Sequence, residues 1–228
     1  MFSGRFIFLC SMFHNSIQII EPWWWQQLMI TLNNRIVKHN VLVHLLPRTA
    51  DIFVFTYPVY LVGLYLWWLN KKSDYFKQAA FAIAFSAGLA AIINYIIQYF
   101  GEKSRPETAI SLKQNLILDH LPTDPFPSDH AAVSAAIAMS TLLWWIKHKD
   151  TKFLKASLFF WFASGAMCFS RVAVAIHRPT DILAGICVGI LSAMIVLRGS
   201  IWNWLVRHVC TPLIRLQERI RSLLGFKW

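Results

Sequence analysis

Long apolar runs, separated by short polar and charged segments, are the main pattern of this chain. A helix that crosses the hydrocarbon core of a bilayer, about 30 Å thick, needs roughly 20 mostly apolar residues. Five windows approach or reach that length: 52–69, 78–100, 131–146, 153–176 and 182–197. The pattern predicts an all-α, polytopic membrane helix bundle with five spanning helices.

The segments on either side of the predicted bundle are amphipathic. Residues 1–50 mix apolar with polar positions and contain Trp23, Trp24 and Trp25, which favour the headgroup region. We expect an interfacial helix there, with a sixth span near residues 5–30 as the alternative. Residues 201–228 place Leu and Ile among Arg, which predicts a basic amphipathic cytoplasmic tail. The chain is therefore predicted to consist of an N-terminal interfacial segment (1–50), a helix bundle (51–200) and a basic amphipathic tail (201–228).

Composition agrees with a membrane protein. Of the 228 residues, 57% are apolar and only 14% are charged, against roughly 25% charged residues in soluble domains, so an ordinary soluble enzyme is excluded. In a soluble protein the net charge of +11 would suggest nucleic acid as partner. Here the basic residues cluster between apolar runs, so membrane topology explains them. The expected partner is the lipid bilayer, with no nucleic acid.

The distribution of Lys and Arg predicts the orientation in the membrane, because positively charged loops stay in the cytoplasm. Thirteen of the 22 basic residues lie in the 71–77 loop, the 147–155 loop and the C-terminal tail, and five lie in the 101–130 and 171–181 loops. We therefore expect a protein of the inner (cytoplasmic) membrane whose 101–130 and 171–181 loops face outward.

The two outward loops carry most of the unusual polar residues. Two Arg and two His at helix ends suggest an anion site with acid and base groups. Arginine suits phosphate because its planar fork donates two parallel hydrogen bonds, and a helix that begins at Ser128 points backbone N–H groups at an anion. The motifs are Arg105-Pro106, Pro127-Ser128-Asp129-His130, and Ser170-Arg171 followed by His177 and Asp181.

These three motifs resemble the signature of the membrane-bound type-2 phosphatidic acid phosphatases, which are relatives of the vanadium haloperoxidases. That signature is Lys, six residues, Arg-Pro; Pro-Ser-Gly-His; and Ser-Arg, five residues, His, three residues, Asp. The chain departs from it twice, because the family Lys falls on Gln98 and the family Gly falls on Asp129. Pro-Ser-Asp-His is similar to the version in the bacitracin-resistance undecaprenyl pyrophosphate phosphatases.

The resemblance implies a role for each matching residue. His177 attacks phosphorus to form a phosphohistidine, Asp181 orients its ring, and His130 is the general acid and then the general base. Asp129 either caps its helix or repels phosphate unless it is paired, and Lys103 is an alternative source of the missing cation. The scheme implies no metal and no other cofactor. The candidate substrate-binding residues are Arg105, Arg171, Ser128, Asp129, Ser170, Gln98 and Lys103.

The leading hypothesis is therefore an integral membrane phosphatase that acts on undecaprenyl pyrophosphate at the outer face. Phosphatidate or phosphatidylglycerophosphate hydrolysis is an alternative, since the same chemistry serves both. Transfer of the phosphoryl group to another lipid is a third. A non-catalytic lipid transporter is the fourth: the His177 and Asp181 pair argues against it, whereas Gln98 favours it.

Overall fold

Every regular element of the described chain is a helix. The structure, a computed structural model, describes residues 22–51, 73–100 and 126–223 and the single position Gly63. This part confirms the predicted all-α class. Its elements are α1 Trp23–Val37, α2 over residues 40–51, α3 Asp74–Phe100, α4 Asp129–His148, α5 Thr151–Ala173, α6 Pro179–Val196, α7 Gly199–Leu205, a π-helical turn Val206–Cys210 and α8 Thr211–Leu223.

Three of these helices, α3, α5 and α6, are long and apolar enough to cross a membrane. They correspond to the predicted spans 78–100, 153–176 and 182–197. Large apolar side chains on them are exposed, Tyr95, Phe162 and Leu191 among them. In a soluble protein such a surface would be an aggregation hazard, whereas in a bilayer it faces lipid. The predicted span 52–69 lies outside the described residues except for Gly63, as does the alternative span up to residue 21.

Helix α4 is the centre of the bundle, packed between α3, α5 and α6. It is 20 residues long and covers the predicted span 131–146, but it is not among the helices that are apolar enough to count as candidate spans; alanines and serines fill its buried faces. Two hydrogen bonds join it to α5: the hydroxyls of Ser134 and Ser164 lie 2.7 Å apart, and Ser157 donates to the carbonyl of Ala138 at 3.0 Å. Small and hydroxylated residues of this kind let membrane helices approach closely and bond to each other.

Helices α4 and α6 pack closely against each other, and this packing depends on two glycines. A methyl group at Gly185 would lie 2.5 Å from the carbonyl oxygen of Ser128 and 2.9 Å from the Cβ of Ala131. One turn later, a methyl group at Gly189 would lie 2.8 Å from the backbone nitrogen of Ala136. The Gly185xxxGly189 motif therefore presses the backbone of α6 against that of α4 at the start of both helices.

Helix α5 ends three residues before the predicted boundary at Ile176. Ala175 has φ 56°, in the left-handed region. The N–H of Ile176 donates to the carbonyl of Arg171 at 3.0 Å, and the N–H of Ala175 donates to that of Val172 at 3.0 Å. This is a Schellman motif with alanine at the position usually taken by glycine. It reverses the chain within a few residues and places His177 next to the end of α5.

The N-terminal helices pack on this turn. Ile36 of α1 and Val43 and Ala50 of α2 form one apolar cluster with three residues of the α5 end and the turn. The Asn33 side chain donates to the carbonyl of Ala173 at 3.5 Å. Of the predicted interfacial segment 1–50, the described half therefore supports the α5–α6 turn with its buried face. The clustered turn residues are Ala173, Val174 and Ile176.

The C-terminal helices lie at the opposite end of the bundle. Trp202 of α7 stacks edge-on against Trp144 of α4, with ring centroids 5.7 Å apart. The buried ammonium group of Lys77 in α3 pairs with Glu218 of α8 at 3.4 Å. Leu216 and Leu223 remain exposed on α8. The predicted amphipathic tail is thus a helix that is attached to the bundle through its other face.

Candidate active site

Five helix ends meet at one end of the bundle. They are the C-terminal ends of α3 and α5, the beginnings of α4 and α6, and the end of the described part of α2. The backbone N–H of Ser128, before α4, donates to the carbonyl of Asp181, in the first turn of α6, at 3.0 Å. The structure therefore brings the second and third sequence motifs into direct contact.

His177 and Arg171 are both buried, and they contact each other. The Nη2 of Arg171 lies 3.1 Å from the Nε2 of His177. The guanidinium group has only donors, so Nε2 accepts this hydrogen bond and carries a lone pair. The ring proton of the neutral imidazole is then on Nδ1. In this tautomer the lone pair of the ring lies on Nε2, the nitrogen next to Arg171.

Asp181 faces the other nitrogen of the same ring. Its Oδ2 lies 3.6 Å from Nδ1 of His177, slightly beyond hydrogen-bond distance, and such contacts tighten when a substrate binds. The carboxylate is completely buried and is held by the backbone N–H of Arg178, which donates to the same Oδ2 at 2.8 Å. Asp181 is thus fixed by the start of its own helix, in a position to orient the imidazole.

Ser128 presents its side chain, not its backbone N–H, to a ligand. The N–H is bonded to Asp181, so it is not one of the free amide groups expected at this helix start. The hydroxyl is buried and makes no hydrogen bond within the described part of the chain. A buried hydroxyl without a partner costs about 1–3 kcal/mol. A phosphoryl oxygen at this position would remove that cost.

Gln98, at the position of the family Lys, bonds to the protein. Its side-chain amide donates to the carbonyl of Pro127 at 2.9 Å and to Oδ1 of Asp129 at 3.2 Å. Asn94, one turn earlier on α3, donates to the same two acceptors. The exposed carboxylate of Asp129 is therefore held by two amides, and these bonds fasten the start of α4 to the end of α3.

Four candidate residues remain: His130, Ser170, Lys103 and Arg105. His130 is half-buried in the first turn of α4. The hydroxyl of Ser170 donates to the carbonyl of Ala166 at 2.9 Å, so its proton is used within its own helix. Lys103 and Arg105 lie outside the described residues.

Two buried polar residues of this region are absent from the sequence-based candidates. Asn94 has no exposed surface, and a signal for it existed, because it is one helical turn before Gln98 in an otherwise apolar helix. Asp51 has none either, and its Oδ1 lies 3.5 Å from Nη1 of Arg171. Its contact partner is 120 residues away along the chain, so no local pattern reveals it. Within residues 22–51, 73–100 and 126–223, no three His, Cys, Asp or Glu side chains form a metal-binding group.

Comparison with known proteins identifies the chain as a membrane-embedded phosphoric-ester hydrolase. The sequence model of the PAP2 superfamily matches residues 79–205, more than half of the chain, so the chain belongs to this superfamily. This confirms the resemblance that the three motifs indicated.

Individual relatives agree with this assignment. The undecaprenyl-diphosphatase BcrC of Bacillus subtilis is 28% identical over 191 residues, which cover 83% of this chain and 90% of that protein. The bacitracin transport permease protein BcrC of Bacillus licheniformis is 29% identical over 147 residues, 63% of this chain and 67% of that protein. The crystal structure of Aquifex aeolicus LpxE is similar in fold, with a TM-score of 0.56, 20% identity, and coverage of 80% of this chain and 98% of LpxE.

Proposed function

We propose that this protein hydrolyses undecaprenyl diphosphate at the outer face of the cytoplasmic membrane, through a phosphohistidine at His177. The substrate is supported by the Bacillus subtilis relative, which carries the name undecaprenyl-diphosphatase and is similar over most of both chains. The outward face is supported by the distribution of basic residues, most of which lie at the opposite end of the bundle. On this proposal residues 51–200 form the catalytic bundle, and 1–50 and 201–228 flank it.

The observation that carries the proposal is the 3.1 Å contact between Arg171 Nη2 and His177 Nε2. It places a positive charge beside the lone pair of the nucleophilic nitrogen. A phosphoryl group that enters between them meets a nucleophile on one side and a donor for its oxygens on the other. A transporter has no need for this arrangement.

The reaction proceeds in two steps, the formation and the hydrolysis of the phosphohistidine. In the first, His177 Nε2 bonds to the terminal phosphorus, the bond to the bridging oxygen breaks, and undecaprenyl phosphate leaves with a proton from His130. Asp181 stabilises the positive charge that develops on the His177 ring. In the second, water gives its proton to His130 and attacks the phosphohistidine, which releases inorganic phosphate and restores His177. Arg171 and the Ser128 hydroxyl bind the phosphoryl oxygens, with Arg105 as a further donor. The scheme uses no metal ion.

Phosphate release by purified protein in detergent tests the proposal. We expect release from undecaprenyl diphosphate, inhibition by vanadate, which resembles the pentacoordinate transition state, and full activity in the presence of a chelator. Faster release from phosphatidate or phosphatidylglycerophosphate would reassign the substrate. Loss of activity with chelator, restored by a divalent metal, would contradict the metal-free scheme.

The nucleophile is tested separately by His177→Ala. We expect release to fall at least about a thousandfold, because no other group can replace the attacking nitrogen, while the protein elutes unchanged in gel filtration. His39→Ala is the matched control, since His39 is exposed between α1 and α2. Activity of His177→Ala within a few-fold of wild type would end the phosphohistidine proposal.

A further inference from the structure

Arg171 is bound by α2, a helix that the superfamily match does not include. Its Nη1 donates to the backbone carbonyl of Ala50 at 2.7 Å and lies 3.5 Å from Oδ1 of Asp51. Both partners of this ion pair are buried, with 2% of the Arg171 side chain and none of the Asp51 side chain exposed. Two charges removed from water in this way depend on each other, because either one alone would be strongly destabilising.

The two terminal nitrogens of the Arg171 guanidinium group bond to different partners. Nη1 bonds to α2, whereas Nη2 bonds to His177 Nε2. The group is planar and rigid, so whatever fixes Nη1 also fixes the direction of Nη2. The Asp51 carboxylate and the Ala50 carbonyl, which both hold Nη1, therefore help to set where Nη2 stands relative to the nucleophile.

The α2 backbone next to Asp51 is held by packing that does not involve the Arg171 side chain. Ala50 belongs to the apolar cluster that joins α1 and α2 to the α5–α6 turn, and Asn33 of α1 bonds to the carbonyl of Ala173. The same cluster includes Val174 and Ile176, which precede His177. One packed unit thus carries the acceptor of Arg171 and supports the nucleophile turn.

We infer that Asp51 is a positioning residue: it orients Arg171 so that Nη2 is directed at the phosphoryl group on His177. The inference rests on the proposed function, in which Arg171 binds the phosphoryl oxygens. On this inference Asp51 acts on the reaction through its contact with Arg171.

A double-mutant cycle on vanadate binding tests this inference. Asp51→Asn keeps the size and the acceptor oxygen of the side chain and removes its charge. We expect it to weaken vanadate binding, measured by isothermal titration in detergent, by about tenfold or more, because a donor displaced by about 1 Å loses much of its transition-state contact. In an Arg171→Gln background the same change should weaken binding less than about twofold, since the residue it acts through is gone. Equal weakening in both backgrounds would overturn the inference.

Further variants separate positioning from folding. Asp51→Glu, which keeps the charge, should restore vanadate affinity to within about threefold of wild type, and an affinity as weak as that of Asp51→Asn would contradict the inference. Glu218→Gln is the matched control, because it removes a carboxylate from the remote, buried Lys77 and should leave vanadate affinity unchanged. Asp51→Asn protein that does not elute as folded material would show a folding role and overturn the positioning role.

The cycle also distinguishes this inference from the proposed function. Vanadate binding is measured without any lipid substrate, so the coupling of Asp51 to Arg171 is readable even if undecaprenyl diphosphate is not hydrolysed. Coupling without hydrolysis would refute the proposed substrate and support the inference. Hydrolysis without coupling would support the proposed substrate and refute the inference.

Discussion

The amide groups of Asn94 and Gln98 give the carboxylate of Asp129 a defined direction. Both amides donate to Oδ1 of Asp129 as well as to the carbonyl of Pro127. A carboxylate so close to a phosphate site would repel the substrate if it were free to turn toward it. Relative to the family signature, this chain has Gln98 in place of Lys and Asp129 in place of Gly. These two residues are hydrogen-bonded to each other.

Removing Gln98 should therefore lower activity more while Asp129 is present than in its absence, where only the bond to the Pro127 carbonyl is lost. We expect Gln98→Leu to lower kcat/KM about three- to tenfold, in the range of one lost hydrogen bond to a charged group at a partly exposed site. In an Asp129→Ala background the same change should have less than about a twofold effect. The measurement is steady-state phosphate release by the four proteins. The same loss in both backgrounds would mean that Gln98 contacts phosphate directly.

Residue spacing predicted that His177 and Asp181 lie together, whereas the long-range partners of the site residues were beyond it. His177 is in the turn before α6 and Asp181 is in the first turn of that helix, so their proximity follows from local geometry. The contacts of Arg171 with Ala50 and of Gln98 with Pro127 join distant parts of the chain. Such contacts arise from helix packing, which a single sequence does not encode locally.

At the scale of elements, the described spans begin and end within a few residues of the apolar windows that predicted them. The exception, the early end of α5, has a physical cause in the left-handed backbone of Ala175, which a run of apolar letters does not reveal. The Gly185xxxGly189 motif alone was a weak signal, because many membrane helices contain one. The structure gives it a specific partner, the start of α4.

Gly185→Ala should separate α4 from α6 next to the site. The added methyl would meet the Ser128 carbonyl at 2.5 Å, so the helices must move apart at a cost of about 1–3 kcal/mol. We expect a lower Tm in detergent and reduced phosphate release, because Ser128 and Asp181 lose their contact.

Gly165→Ala provides the matched control within the same bundle. Gly165 lies in α5, and among the described residues no atom beyond its chain neighbours and its own helix backbone lies within 4 Å of an added methyl group. Alanine there should raise stability by about 0.5–1 kcal/mol through helix propensity and leave activity unchanged. Equal Tm values for Gly185→Ala and Gly165→Ala would refute the proposed close approach of α4 and α6.

At the scale of the whole molecule, most basic residues of the described bundle lie at the end opposite the candidate site, with Arg171 and Arg178 at the site end. The ends of α4 and α6 and the start of α5 carry Lys147, Lys152 and Arg198, whereas His177 and Ser128 lie at the other end. Apolar runs and charge counting predicted the helical class and this polarity. They did not predict that α1 and α2 contribute their buried faces to the site.

Cysteine labelling from outside intact cells tests the orientation. A Cys at Asn115, in the predicted outward loop, should react with a thiol reagent that does not cross membranes, and a Cys at Lys147 should react only after permeabilisation. Lys147 is exposed at the end of α4, so this substitution removes no buried contact.

The background for labelling should lack Cys10 and the exposed Cys187. Cys210 can stay, because burial raises the pKa of its thiol to about 11 and keeps it protonated and unreactive. The reverse labelling pattern would place the site in the cytoplasm and contradict an outward-facing diphosphatase.

The hydrogen bond from Ser128 to Asp181 also has a consequence for biosynthesis. Its two partners belong to α4 and α6, so the ribosome makes all of α5 between them. At about 5–20 residues per second, the nascent chain spends seconds in the membrane with the Ser128 loop already translated and its partner not yet made. The candidate site is therefore complete only after α6 has been made. A nonsense mutation between the end of α5 and Asp181 should yield a membrane-inserted fragment with no phosphatase activity.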